Sequence, residues 1–316
     1  MVAMMQSIAL LMVGFVLLIK GADFFVEGSS SVARALRIPS MIVGLTIVAM
    51  GTSLPELAVS VTASVAGNNA LAVSNVIGSN LFNLMFVCGA CALFAPLIVQ
   101  KDTLKKEIPV SVLCAVLLFV LGISGMEIGR TDGVILLLLF IGFLVWMVRS
   151  ALKAHAASAE DPSGEYKIYP AWKCALYIVG GAVAIKFGGD FVVDGASAIA
   201  VKAGLSQNLI GLTIVAMGTS LPEFVTSVVA ARKNEVDMAF GNVIGSNIFN
   251  ILFILGVTAA ISPVAFIMEN VVDSILLVLV SILVWVFAWS RLHIEKKEGV
   301  VLLACYAGYL IYICTR

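Results

Sequence analysis

Long apolar runs separated by short polar stretches dominate this chain from end to end. Each run holds about 20 residues, the length that an α-helix needs to cross the hydrocarbon core of a bilayer. Because lipid offers no partners for backbone N–H and C=O groups, such runs form helices that bond internally. The pattern predicts ten transmembrane helices, at residues 7–26, 42–65, 71–96, 108–125, 131–149, 173–194, 208–231, 238–262, 271–290 and 299–314.

Polar motifs inside these runs occur twice, at a constant spacing of 167 residues. GLTIVAMGTSLPE stands at 44–56 and at 211–223, and NVIGSN stands at 75–80 and at 242–247. Duplicated polar motifs in apolar sequence are typical of transporters built from two similar halves. We expect a first five-helix repeat in residues 1–150, a linker in 151–170 and a second repeat in 171–316.

The direction of each repeat follows from its number of helices. With five helices, the second repeat enters the membrane from the opposite side, so the two repeats are inverted. Fourteen of the 19 Lys and Arg residues fall in loops on one side of the predicted spans, and such loops are cytoplasmic by the positive-inside rule. This predicts a cell-membrane protein with both termini outside and the linker 151–170 in the cytoplasm. The first run lacks the basic segment of a cleaved signal and is expected to be a span.

Composition agrees with this interpretation. Apolar residues make up 61% of the chain and charged residues 12%, about half the charged fraction of soluble domains. The fold class predicted is an all-α polytopic membrane protein. The sequence shows no basic, aromatic-rich patch, so we expect no nucleic-acid partner, and it gives no indication of oligomeric state beyond a monomer that suffices for transport.

Two glutamates at membrane depth carry the candidate chemistry. Glu56 and Glu223 end the two copies of GLTIVAMGTSLPE, in spans that supply no Lys or Arg to pair with them. A carboxylate in the bilayer interior costs roughly 2.5–3.5 kcal/mol on insertion scales, so each one needs a compensating partner. A bound cation is the simplest partner for a symmetric pair.

Oxygen-bearing side chains and two prolines surround these glutamates in sequence. Hydroxyl and amide oxygens suit a hard cation, and no thiolate or imidazole is offered for zinc or copper. Pro55 and Pro222 should kink their helices near Gly51 and Gly218 and free backbone carbonyls beside the carboxylates. The oxygen donors are Thr52, Ser53, Thr219, Ser220, Ser79, Asn83, Ser246 and Asn250.

The paired G-T-S-L-P-E and G-S-N-x-F-N motifs resemble the two alpha repeats of the cation/calcium exchanger superfamily. Over nearly its full length the chain is similar to a compact, prokaryotic-type sodium/calcium exchanger of ten helices. The resemblance implies antiport of Na+ against Ca2+ by alternating access, with no cofactor besides the transported ions. It also implies that the first helix of each repeat slides against the rest of the bundle.

Site residues follow from this resemblance position by position. It implies a calcium site formed by Glu56, Glu223 and the carbonyls of Thr52 and Thr219. Asn83 and Asn250 would line the middle of the site. The implied sodium ligands are Ala49, Thr52, Ser53, Glu56, Ser79, Ala216, Thr219, Ser220, Glu223 and Ser246.

Position 250 bears on the coupling ion, since some members of the superfamily, including potassium-dependent ones, have Asp there and this chain has Asn250. We therefore expect transport that does not require K+. Three alternatives stay open at this point: a Ca2+/H+ antiporter, a cation channel and, least favoured, a membrane enzyme.

A second set of repeated charges lies in the first helix of each half. Asp23 and Glu27 correspond to Asp190 and Asp194, and Lys20 and Lys186 precede them. At these spacings local ion pairs can form on one helix face. We interpret these acidic pairs as structural anchors at a moving helix rather than as ion ligands.

Overall fold

The computed structural model describes residues 2–66, 69–157, 168–204, 214 and 216–315. Within these residues, eight helices are long and apolar enough to cross a membrane, or nine if the bent pair Ser40–Thr52 and Leu54–Val65 is one span. The predicted helical membrane fold is confirmed. The predicted span 208–231 lies partly outside the described residues, so the described part of the chain does not establish the count of ten.

In its described residues, the first half contains seven helices and two short strands. Two of its helices are longer or more broken than the apolar pattern predicts: α1 spans 34 residues, and the helix of the third predicted span contains a π-helical segment, Phe82–Val87. The elements are α1 (Val2–Ala35), α2 (Ser40–Thr52), α3 (Leu54–Val65), α4 (Asn69–Leu81, continued by Phe82–Val87 and Cys88–Phe94), β1 (Leu97–Ile98), α5 (Lys101–Lys105), α6 (Glu107–Gly125), β2 (Glu127–Ile128) and α7 (Arg130–Ala157).

The second half repeats this order. Helix α7 runs on to Ala157, so the first seven residues of the predicted linker are helical, and residues 158–167 lie outside the described chain. The elements are α8 (Ala171–Lys202), α9 (Ala216–Gly218), α10 (Leu221–Arg232), α11 (Val236–Phe249, continued by π-helical Asn250–Ile254 and by Leu255–Ile261), β3 (Val264–Ala265), α12 (Met268–Arg291), β4 (His293–Ile294) and α13 (Lys296–Thr315).

The four strands pair between the halves and define two ends of the bundle. β1 pairs with β4, and β2 pairs with β3, both antiparallel. The 19 residues of α6 separate β1 from β2 by about 28 Å, so the two strand pairs lie at opposite ends. Because β1 and β3 are equivalent in the repeat, equivalent parts of the two halves lie at opposite ends. This is the geometry of inverted repeats.

Both prolines begin a new helix instead of bending a continuous one. Helix α2 ends at Thr52, Ser53 leaves helical geometry at φ −85° and ψ 12°, and Pro55 occupies the first turn of α3. Proline is tolerated there because the first-turn N–H groups have no intrahelical acceptor. The two helices meet at 47°. In the second half α9 ends at Gly218, and α10 begins at Leu221 with Pro222 in its first turn.

Helices α1 and α8 pack against each other, antiparallel, along most of their length. A Cβ atom on Gly21 would lie 2.9 Å from the backbone N of Ile185, and one on Gly188 would lie 2.6 Å from the backbone N of Leu18. Only glycine allows so close a backbone approach, and small residues at helix interfaces serve this purpose in membranes. The two helices therefore form one paired unit beside the remaining bundle.

Candidate ion-binding site

The helix breaks place both glutamates at the centre of the molecule. Glu56 lies in the first turn of α3 and Glu223 in the first turn of α10, and each is 0% exposed. The N-terminus of a helix carries a partial positive charge and unsatisfied N–H groups, which favour a carboxylate. A continuous helix through either position would remove this advantage.

Serines from each half contact the glutamate of the other half. Ser53 Oγ donates to Glu223 Oε1 at 2.7 Å, and Ser220 Oγ lies 3.0 Å from Glu56 Oε1. Ser220 Oγ also lies 3.0 Å from Ser79 Oγ, which adds the repeated NVIGSN motif to the same cluster. The two halves thus build one shared site instead of two separate ones.

Five oxygens of the predicted site are buried and have no hydrogen-bond partner among the described residues. Leaving such a group unpaired costs about 1–3 kcal/mol, and more when it is charged. In the described residues, neither carboxylate is paired with Lys, Arg or His. The five atoms are Glu56 Oε2, Glu223 Oε2, Asn83 Oδ1, Asn250 Oδ1 and Ser246 Oγ. The two carboxylate oxygens are equivalent in the repeat, and so are the two amide oxygens. All four can only accept hydrogen bonds when the carboxylates are ionised, and a bound cation would satisfy them.

The remaining predicted ligands differ in how they are engaged. Thr52 is buried, and its Oγ1 lies 3.1 Å from the carbonyl of Val48 and 3.2 Å from Asn242 Oδ1. The carbonyl of Ala49 accepts the N–H of Ser53 at 3.1 Å, so it already has one hydrogen bond. Thr219 is half-buried, and Ala216 begins α9.

The family of the chain follows from its sequence as a whole. The family described as sodium/calcium exchanger protein matches residues 6–149 and 173–315. The chain belongs to this exchanger family. The two matched ranges correspond to the two halves seen in the strand pairing.

Individual relatives match this chain over nearly its whole length. CaxA of Alkalimonas amylolytica, named as a candidate antiporter, is 40% identical over 97% of this chain and 98% of its own. The sodium/calcium exchanger MaX1 of Methanosarcina acetivorans is 30% identical over 96% and 97% of the two chains. A structure of the sodium–calcium exchanger NCX_Mj soaked with 10 mM Na+ and 10 mM Sr2+ is 33% identical with a TM-score of 0.84, covering 96% of this chain and 97% of that one.

Four asparagines of the exchanger site were missed by the sequence analysis. Asn75 Nδ2 donates to Ser60 Oγ at 3.0 Å and lies 3.4 Å from the carbonyl of Glu56. Its counterpart Asn242 makes the equivalent contacts at 2.9 Å to Ser227 Oγ and 3.3 Å to the carbonyl of Glu223. The other two missed residues are Asn80 and Asn247. All four stand in the repeated NVIGSN motif, and this repetition was the signal that could have found them.

A cavity of about 320 Å³ lies beside the helix break before Glu223, on the side of the β2–β3 end. It is lined by Thr219 and Pro222 next to Glu223, by Ala58 on α3, and by Asp190 and Asp194 on α8, of which Asp194 is exposed. The cavity therefore joins the break before Glu223 to the surface.

Ion pairs hold the opposite, β1–β4 end of the exchanger together. Lys233, at the end of α10, lies 3.3 Å from Asp23 Oδ1 and 3.9 Å from Glu27 Oε2, both on α1. Tyr169 donates its hydroxyl hydrogen to Glu27, and Arg34 of α1 pairs with Glu235. Here α1 is linked to the turn between α10 and α11. The predicted local pairs are also present, with Lys20 at 3.9 Å from Asp23 and Lys186 at 2.5 Å from Asp190.

Proposed function

We propose that this chain is a secondary antiporter that exchanges Na+ for Ca2+ across the cell membrane without requiring K+. One observation carries the proposal: among the described residues, two buried carboxylates and two buried amides from opposite halves each have an acceptor oxygen without a hydrogen-bond partner, and no cationic side chain is bound to the carboxylates. Membership of the sodium/calcium exchanger family supports the choice of ions.

The ion sites would be shared between the halves. Ca2+ accepts six to eight oxygens in flexible geometry, which suits mixed carboxylate, hydroxyl and carbonyl ligands. We propose Glu56, Glu223 and the carbonyls of Thr52 and Thr219 as calcium ligands, with Asn83 and Asn250 lining the middle. The proposed sodium ligands are Ala49, Thr52, Ser53, Glu56, Ser79, Ala216, Thr219, Ser220, Glu223 and Ser246. The two carboxylates supply a formal charge of minus two, which balances one Ca2+ or two Na+.

Alternating access would arise from movement of the α1–α8 pair relative to the rest of the bundle. The cavity at the β2–β3 end and the ion pairs at the β1–β4 end correspond to a state that is accessible from one side. Basic residues favour the β1–β4 end as the cytoplasmic one, so the cavity would face outward. Movement of α1 away from α10 would then open the cytoplasmic side.

Uptake of radioactive Ca2+ into proteoliposomes loaded with Na+ and diluted into Na+-free buffer tests the function. We expect uptake that requires internal Na+ and is unchanged by adding or removing K+. Uptake that ignores Na+ and follows a pH gradient would replace the proposal by Ca2+/H+ antiport. Flux that needs no counter-ion would indicate a channel.

Glu56→Gln and Glu223→Gln test the site. Each change keeps the shape of the side chain and removes one charge, so exchange should fall by about 100-fold or more, beyond the 10- to 100-fold typical of lost outer-shell partners. Glu127→Gln, at the exposed residue of strand β2, is the matched control and should exchange normally. Monodisperse elution of all three variants on size exclusion would show that they fold. Normal exchange in both site variants would place the site elsewhere.

A further inference from the structure

The orientation of the two inner amides, Asn83 and Asn250, decides what the middle of the site offers an ion. An asparagine side chain presents an oxygen acceptor on one side and an NH2 donor on the other. Both residues are buried, and the Oδ1 of each has no hydrogen-bond partner in the part of the chain that the structure describes. Rotation of either amide by half a turn would instead point a donor at the bound cation.

Backbone carbonyls determine the orientation of a second, outer pair of amides. Asn80 Nδ2 donates to the carbonyl of Asn247 at 3.2 Å, and Asn247 Nδ2 lies 3.4 Å from the carbonyl of Asn80. A backbone carbonyl can only accept, so each outer amide must turn its nitrogen toward it. The oxygen of each outer amide then faces away from that carbonyl.

These outer oxygens in turn orient the inner amides. Asn250 Nδ2 donates to Asn80 Oδ1 at 3.0 Å, and Asn83 Nδ2 donates to Asn247 Oδ1 at 3.3 Å. With its nitrogen turned toward the outer amide, each inner amide points its oxygen the other way. The chain of constraints runs from carbonyl to outer amide to inner amide, and it occurs twice across the two halves.

We propose that Asn80 and Asn247 are positioning residues that hold the oxygens of Asn250 and Asn83 toward the ion. The proposal rests on the proposed function, since it assumes that a cation occupies the central site. All four residues are at most 2% exposed, so water does not reach them to substitute for the lost hydrogen bonds. Neither outer asparagine is expected to touch the ion.

Equilibrium binding of Ca2+ to the purified full chain, measured by titration calorimetry, tests this role without relying on transport. Asn80→Leu keeps the approximate shape of the side chain but frees Asn250 to rotate, so Ca2+ affinity should fall by about tenfold or more, as for other partners that orient metal ligands. Wild-type affinity in this variant would overturn the proposal. Failure of the wild-type chain to bind Ca2+ would instead contradict the proposed function.

A double-mutant comparison separates positioning from a merely structural role. In the Asn250→Asp background both side-chain oxygens accept, so either orientation of the side chain presents an acceptor to the ion. Adding Asn80→Leu to this variant should therefore change its Ca2+ affinity by no more than about threefold, because the effects of the two substitutions are then not additive. An equal loss in both backgrounds would mean that Asn80 acts only through packing. Asn247→Leu with Asn83→Asp is the symmetry-related set, and it decides the question if Asn80→Leu does not fold.

Discussion

The two acidic pairs of the α1–α8 unit are equivalent in the repeat but differ in their partners. Asp23 and Glu27 are bridged to another helix by Lys233, whereas Asp190 pairs at 2.5 Å with Lys186 of its own helix and lines an open cavity with Asp194. In the repeat, Lys233 corresponds to Ala66, which has no charge to form such a bridge. A local sequence difference thus gives one of two symmetric ends an inter-helix ion pair that the equivalent residue at the other end cannot form.

Among changes at the two ends, the largest expected effect comes from filling the cavity at the β2–β3 end. Ala58→Trp places a large ring in the cavity of about 320 Å³ and should slow Na+-driven Ca2+ uptake by about tenfold, which corresponds to roughly 1.4 kcal/mol. Leu113→Trp, on an exposed face of α6 away from the cavity, is the control and should transport normally. Unimpaired uptake by the Ala58 variant would mean that ions do not pass through this cavity.

Removal of the inter-helix bridge should weaken the closed end. The Lys233 side chain is 34% exposed, so its ion pairs contribute about 0.2–1 kcal/mol, and Lys233→Ala should raise the population open at that end by up to about fivefold. Ala58→Cys and its repeat counterpart Val225→Cys, each in a background without the exposed Cys305 and Cys314, report the two ends through labelling by an impermeant maleimide. We expect Lys233→Ala to speed labelling at position 225. Lys233→Arg keeps the positive charge and should leave the labelling rate at this position unchanged. An unchanged ratio of the two labelling rates would show that the bridge does not stabilise the closed end.

Tyr169→Phe should act in the same direction with a smaller effect, because it removes one hydrogen bond and leaves Lys233 in place. The bond to Glu27 raises the pKa of Tyr169 to about 12. A raised pKa means that the contribution is complete below the ordinary value of about 10 and is lost only as pH rises through about 12. The ratio of the labelling rates at position 225 with and without Tyr169→Phe should therefore be the same at about pH 7 and about pH 9. A difference that disappears over this range would show that a group other than the Tyr169 hydroxyl controls the contact.

The smallest effect is expected for Lys186→Ala. This lysine pairs with Asp190 four residues away on the same helix, and exposed pairs of this kind contribute about 0.3–0.5 kcal/mol. Because the pair joins no second helix, both labelling rates and transport should change by about twofold or less. A change as large as that of Lys233→Ala would remove the distinction between the two ends.

Much of the candidate site could be predicted because the sequence repeats itself. The glutamates were found as the charged members of identical motifs in apolar sequence, and the structure buries both at one point with Ser53, Ser79 and Ser220. The supporting asparagines Asn75 and Asn242 were missed although they belong to a repeated motif. A buried amide and a loop amide look alike in sequence, and only the acceptors around them distinguish the two.

The sequence by itself determined the helical membrane class, the two repeats and the acidic positions, because hydrophobic length and internal repetition are properties of the chain. The tertiary structure decided the crossed contacts between Ser53 and Glu223 and between Ser220 and Glu56, the pairing of β1 with β4 and of β2 with β3, and the end at which the cavity lies. These features depend on how two nearly equivalent halves pack against each other. A repeated sequence is nearly the same for both halves, so only the packed structure could show which end has the cavity and which has the ion pairs.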